Sequence, residues 1–293
     1  MRVHHLNAAT LCPISARLVN GRGPWLGRAT LVCHVLVVET PRGVVLVDTG
    51  LGTGDLASPA RLGPTWVRQI APRLDPAEPV VAQLAGLGLA AADVTDVVLT
   101  HLDLDHAGGI ADFPAARVHV HAREHDAATA RLGTRAGMRY IAAHWQHGPR
   151  WQLFGDGGER WFGFDGVRPL DARDPDVLLV PLHGHTAGHT GVAVRCADGW
   201  LLHAGDSYFF HGQVATPPSA PFVLRMFQRR SDVNRPERIA NQARVRQLVA
   251  SHGDQVTAFC SHDPVELARA VAAGSPGRAA VSRSDAALRG SGV

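Results

Sequence analysis

Residues 100–109 read Thr-His-Leu-Asp-Leu-Asp-His-Ala-Gly-Gly and place His101, Asp103, Asp105 and His106 within six positions. Imidazole nitrogens and carboxylate oxygens are the donors that zinc, iron and manganese accept. Four of them in one short segment point to a metal site. Asp48, His185, Asp206 and His262 stand in a similar context, each at the end of an apolar run. Donors carried on strand ends along one sheet edge converge on one point. Five such segments make the pattern specific where a single one would not be.

The elements that must hold these residues follow from periodicity and turn chemistry. Val-Thr-Asp-Val-Val-Leu at 94–99 reads as a buried strand feeding the His101 cluster, and Gly108 and Gly109 permit a tight turn after it. Residues 29–39 and 43–47 read as a hairpin whose second strand ends in Asp48-Thr49-Gly50. Residues 66–74 and 80–87 read as helices, 117–121 as a strand, and a helix starts at Ala122. A strand at 177–182 leads into His183-Gly-His185-Thr-Ala-Gly-His189, and a hairpin over 191–203 ends in Gly205-Asp206. Residues 207–222 read as a Phe-rich loop, 235–251 as a helix and 256–260 as a strand, and Pro264 opens the last helix. Hairpin strands come first and strand–helix alternation follows, twice over. That order predicts a layered α/β sandwich.

Residues 133–169 stand apart, with Trp145, Trp151, Phe154, Trp161, Phe162 and Phe164 among many glycines. Two readings are open: an aromatic insertion serving as a lid over a pocket, or a small hairpin packed on the core. The expected organisation is one domain over 1–275 containing this insertion, with a mobile tail at 276–293.

Composition narrows the function classes. All 29 basic residues are arginine, they are scattered, and the net charge is +3, which is not the footprint of a nucleic-acid binder. No apolar run approaches the ~20 residues of a membrane span. The first ten residues hold no apolar segment of export type. The four cysteines are far apart without CxxC spacing, so a reducing, cytoplasmic compartment and a small-molecule substrate are expected.

At this point the chain resembles the metallo-β-lactamase superfamily, over about residues 29–263. The family's His-x-His-x-Asp-His stands here as His101-Leu-Asp103-Leu-Asp105-His106, and its Gly-His-Thr-x-Gly-His as Gly184 to His189. Its bridging aspartate falls at Asp206, its last histidine at His262, and its Leu-Val-Asp-Thr-Gly at 46–50. The resemblance implies a four-layer αββα sandwich with two divalent metal ions, zinc first among candidates. His101, Asp103 and His185 would hold the first ion. Asp105, His106 and His262 would hold the second, and Asp206 would bridge both. Asp48 would orient ligands from behind. Two metals ~3.5–4 Å apart generate hydroxide near neutral pH and polarise a carbonyl. Asp105 is also a candidate to accept or deliver the proton of the leaving group.

Asp103 departs from the family pattern, where a neutral imidazole is usual. Three outcomes are open: it ligates the first ion and favours iron or manganese, it misses and only the second position fills, or a nearby histidine substitutes. His119, His121, His189 and His34 are read as structural, and His183 and His203 as candidates to support ligands. Cys260 is read as a buried thiol. Tyr208 is a candidate to hydrogen-bond the substrate carbonyl, as a tyrosine after the bridging aspartate does in some lactonases of the superfamily. The function expected from the resemblance is metal-dependent hydrolysis of an ester, lactone or related acyl bond, with N-acyl homoserine lactonase activity favoured. A glyoxalase-II-like thioesterase or a β-lactamase is the alternative hydrolase. A di-iron oxidoreductase or dioxygenase of the same fold is the alternative class.

Overall fold

The computed structural model describes residues 1–131, 138–172 and 174–274. The proposed tail at 276–293 and residues 133–137 of the aromatic segment lie outside the described residues. The first sheet contains β1 (Arg2–Leu11), β2 (Leu31–Thr40), β3 (Gly43–Val47), β4 (Val94–Val98), β5 (Arg117–His121) and β6 (Arg150–Phe154). The second contains β7 (Glu159–Trp161), β8 (Phe164–Asp171), β9 (Asp174–Pro181), β10 (Thr190–Cys196), β11 (Gly199–His203) and β12 (Val256–Phe259). The helices are α1 (Ala16–Val19), α2 (Thr53–Ala57), α3 (Pro64–Ile70), α4 (Val80–Leu84), α5 (Leu104–Ala107), α6 (Ala122–Arg131), α7 (Phe222–Ser231), α8 (Arg235–His252) and α9 (Pro264–Gly274). Among the described residues no helix is long and apolar enough to cross a membrane.

Each sheet runs in simple sequence order, β1 to β6 and β12 to β7. In the first, β1–β2 and β2–β3 are antiparallel, while β3 to β6 are parallel. In the second, β11–β12 is parallel and the other pairs are antiparallel. The parallel strands explain the unbroken valine runs, because both of their faces are covered. Leu36, Val38, Val45, Val47 and Val98 meet Val177, Leu179, Val192, Val194 and Phe259 between the sheets. The alternate residues Val37, Val44, Leu46 and Val97 pack outward with Val80 and Leu84 of α4 and Ala128 of α6. Val180, Leu182, Ala193 and Leu202 pack with Val245 and Leu248 of α8 on the far side. Helices therefore cover both outer faces, which is the expected αββα order.

Two parts of the chain differ from the expectation. β1 is a ten-residue strand at the edge of the first sheet, although His4, His5 and Asn7 break its apolar alternation. Antiparallel pairing with β2 and a His5–His34 side-chain hydrogen bond of 2.8 Å hold it. The described part of the aromatic segment is not an appended lid. It supplies edge strand β6 of one sheet and β7 and β8 of the other. Trp145 and Trp151 pack against the outer core of the first sheet, and Trp161 and Phe162 against that of the second, because large rings cap sheet edges well.

Candidate metal centre

The five donor segments meet at one end of the sandwich, each just past a strand end: Asp48 after β3, the His101 cluster after β4, His185 after β9, Asp206 after β11 and His262 after β12. Two backbone features set the loops. Asp48 adopts φ 60°, a left-handed conformation that aspartate tolerates better than most residues. The loops after β3 and β4 then touch so closely that a Cβ on Gly108 would lie 2.7 Å from the Gly50 carbonyl oxygen.

Hydrogen bonds on the far nitrogen of each ring assign the tautomers. Asp48 accepts from the Thr100 amide at 2.7 Å, the Thr100 hydroxyl at 2.8 Å and His106 Nδ1–H at 2.8 Å. The Thr100 hydroxyl oxygen in turn accepts from His101 Nδ1–H at 2.9 Å. His262 Nδ1–H donates to the Val32 carbonyl at 2.8 Å. All three rings thereby turn Nε2 inward. His106 Nε2 and Asp206 Oδ1 are buried without hydrogen-bond partners, and so is His101 Nε2.

Asp206 straddles the two groups. Its Oδ1 lies 3.2 Å from His262 Nε2 and 3.5 Å from His106 Nε2. Its Oδ2 lies 3.3 Å from His185 Nε2 and 3.8 Å from His101 Nε2. Asp105 Oδ2 stands 3.7 Å from His262 Nε2, and Cys33 joins these two within ligating reach of one another. Burial penalises the charge on Asp206, but the His262 and His106 charges outweigh it and hold the carboxyl well below its usual range. Burial likewise disfavours a charged His106, yet Asp206 and Asp48 raise it well above an ordinary histidine. His106 and Asp206 thus present buried, unpaired donor atoms within ligating reach of His262, and Asp105 stands beside that ring. This second position fits a divalent cation.

The first position is different. Both oxygens of Asp103 accept from Arg139, Oδ1 from Nε and Oδ2 from Nη2. Nη2 also stands 3.0 Å from His185 Nε2, and Nη1 donates to the Ser231 carbonyl at 2.8 Å. Burial opposes charge on Asp103, but the guanidinium, followed by His101, holds it well below the usual carboxylate range. Asp103, expected to ligate the first ion, is therefore the anionic half of an ion pair. His101, His185 and Asp206 remain within ligating reach of one another. As arranged, however, a guanidinium engages two of the four groups that an ion there would need, and the position does not fit one.

Tyr208 requires a second correction. It is fully buried in the outer core of the second sheet, and its hydroxyl donates to Glu266 at 3.0 Å. Its hydroxyl is committed inside that core. The ring that does border the centre is Phe209, edge-on to His185 and to His262 at centroid distances of 5.8 and 5.5 Å.

The other histidines singled out in the sequence have partners of their own. His189 donates from Nδ1 to the Leu182 carbonyl at 2.9 Å and accepts the Asp206 amide on Nε2 at 2.8 Å, so it shapes the loop that carries Asp206. His203 donates to the His34 carbonyl at 2.7 Å, tying β11 to β2. His119 pairs with Asp96 at 2.6 Å, and His121 and His183 both reach Asp156, at 3.2 and 3.1 Å. Cys260 is a buried thiol whose titration burial pushes far upward.

Three contributors escaped the sequence reading. Glu124 on α6 accepts the Leu102 amide at 3.2 Å and the Gly188 amide at 3.0 Å, joining the loops of the first and second histidine motifs. Cys33 lies on β2, far from any motif. Arg139 had one indirect signal: an acid in a site of acids demands a counter-charge, but its position in the chain carries no mark.

The family model of the metallo-beta-lactamase superfamily matches residues 28–252. A protein named probable metallo-hydrolase from Mycobacterium tuberculosis is 40% identical over 271 residues, covering 92% of this chain and 83% of that protein. An N-acyl homoserine lactonase of Azorhizobium caulinodans is 35% identical over 119 residues, covering 40% of this chain and 42% of its own. Among solved structures, an N-acyl homoserine lactone hydrolase with the product N-hexanoyl-L-homoserine at its metal centre superposes with a TM-score of 0.68 at 18% identity. That match covers 92% of this chain and 95% of the other. A probable metal-dependent hydrolase from Staphylococcus aureus gives 0.63 at 17%, covering 89% and 88%. At such identities the two structures share the fold.

Proposed function

Since the chain belongs to the metallo-β-lactamase superfamily and is a metallo-hydrolase, we propose that it hydrolyses an ester or lactone bond of a small amphiphilic substrate, with N-acyl homoserine lactones as the favoured class. The observation that carries this reading is the convergence of His106 Nε2, Asp206 Oδ1 and His262 Nε2, buried and turned toward one another beside Asp105. Imidazole with carboxylate suits zinc and also accepts manganese or iron. When bound there, a divalent cation supplies Lewis acidity to the substrate carbonyl and lowers the pKa of water toward neutrality.

The chain's own residues supply the rest. Asp48 fixes the ring of His106, and through Thr100 that of His101. Asp105, whose side chain is partly accessible, is placed to accept a proton from water and return it to the leaving oxygen. Phe209 keeps one side of the centre apolar. It also lines an adjoining cavity of ≈ 800 Å³, together with Val19, Leu31, Phe210 and Leu224, while Arg22 and Arg28 line it too. An apolar wall with polar groups beside it suits an acyl chain carrying a polar head. Trp145 and Trp151 pack on the outer core of the first sheet, Trp161, Phe162 and Phe164 on that of the second, and Phe154 between the sheets.

A di-iron oxidation reading rested on Asp103 as an iron ligand, and Arg139 occupies both of its oxygens. The proposal keeps a small molecule as partner and the cytoplasm as compartment, supported by the scattered arginines and four unpaired cysteines. Zinc-loaded protein of confirmed metal content, assayed by proton release on acyl-homoserine lactones and aryl esters beside thioesters and β-lactams, tests it. Lactone or ester turnover is expected; turnover confined to thioesters or β-lactams, or none at all, overturns the reading.

A further inference from the structure

We propose that the Arg139–Asp103 ion pair takes the place of the first metal ion, so that this chain binds a single divalent cation, at His106, Asp206 and His262 with Asp105. The inference rests on the metallo-hydrolase reading of this site and deepens it. Its first support is His185 Nε2. An imidazole ligand holds its metal through such a nitrogen at ~2.0–2.1 Å. Here Nε2 faces Arg139 Nη2 at 3.0 Å and Asp103 Oδ2 at 3.3 Å, while the Nδ1 side of the ring faces Asp232 at 3.9 Å. The second support is Asp103, which spends both oxygens on the guanidinium in the forked geometry that arginine and carboxylate favour. Its Oδ2 lies 3.3 Å from the Nε2 atoms of both His101 and His185, so the pair stands among the groups that would ligate an ion.

The arginine is also built in. Nη1 donates to the Ser231 carbonyl at 2.8 Å, and the Arg139 carbonyl accepts the Leu104 amide at 3.1 Å. Backbone and side chain therefore grip the same loop, at Asp103 and Leu104. Four of the five guanidinium N–H groups have partners, so the group is held rather than swinging. A second dication would meet a fixed guanidinium, and the Asp103 charge that could have attracted it is already spent neutralising that group. The second position needs nothing from this pair: His106, Asp206 and His262 lie within ligating reach of one another, and Asp105 Oδ2 stands 3.7 Å from His262 Nε2. The exchange is also chemically coupled. A neutral imidazole at position 103 could not neutralise an arginine, whereas a carboxylate there without one would be a buried unpaired charge.

The test is metal stoichiometry. Protein loaded with excess zinc and then desalted is expected to hold one zinc per chain by elemental analysis. Manganese-loaded protein is expected to give the paramagnetic resonance spectrum of isolated ions, without exchange coupling. The double variant Asp103→His with Arg139→Gln restores an imidazole and frees His185, and its bound zinc is expected to double to two per chain. Two zinc ions with a coupled manganese spectrum in the wild type overturn the proposal, as does a double variant, folded by circular dichroism, that stays at one. Should that variant misfold, the wild-type manganese spectrum still decides between one ion and two. The reading is independent of turnover: one ion per chain without hydrolysis counts against the acyl-hydrolase function and not against this inference.

Discussion

For each histidine, the commitment of one ring nitrogen decides its role. His101, His106 and His262 spend Nδ1 on Thr100, Asp48 and Val32 and turn Nε2 inward. His189 spends both nitrogens on backbone and is closed to metal. The same accounting commits the Tyr208 hydroxyl to Glu266. Tyr208→Phe is therefore expected to leave kcat within about threefold of wild type while costing about 1 kcal/mol of stability, the usual net worth of a buried hydrogen bond. A donor to the developing oxyanion would instead cost about 10²–10³-fold in kcat. Steady-state kinetics beside denaturant unfolding of the variant separates the two.

Between loops, the ligand geometry depends on an element that contributes no ligand. α6 carries Glu124, fully buried, whose carboxylate accepts one amide from the Leu102 loop, one from the Gly188 loop and the Tyr140 hydroxyl at 3.4 Å. Glu124→Ala leaves two buried N–H groups unpaired, at about 1–3 kcal/mol each. It also frees the loop after β4, which carries Asp105 and His106, to drift. The variant is expected to lose both unfolding stability and zinc affinity, the latter by about 10–100-fold, the range for loss of a residue that orients ligands. Chelator competition measures the affinity; an unchanged value would show that the strand ends alone hold the loops. At this scale sequence reading succeeded where apolar runs were continuous, as in β3 and β4, and failed at β1 and β6. β1 carries polar residues tolerated on an edge strand, and β6 has an exposed pattern that pairing with β5 makes regular.

Stability of the whole molecule carries a pH term away from the metal centre. Glu266 on α9 sits against Cys260, just past β12, and against Tyr208, and burial followed by the nearby Asp263 charge raises its carboxyl from 4.5 to about 7. Between these values the native state keeps a proton that the unfolded chain has lost, so stability falls as pH rises from about 4.5 to 7. The shift corresponds to about 3 kcal/mol, fully present below pH 4.5 and lost above 7. Denaturant unfolding of wild type and Glu266→Gln across pH 5–8 is expected to show that slope in the wild type only; parallel curves would exclude it. The sequence by itself determined the sandwich class, the order of the donor segments and the family, because strand periodicity and donor spacing are local properties of the chain. It also marked Asp103 as the odd residue but left three fates open for it. Only the tertiary structure decided its partner, by bringing Arg139, thirty-six residues on, against its carboxylate. A counter-ion is selected by proximity in space, which spacing along the chain does not encode.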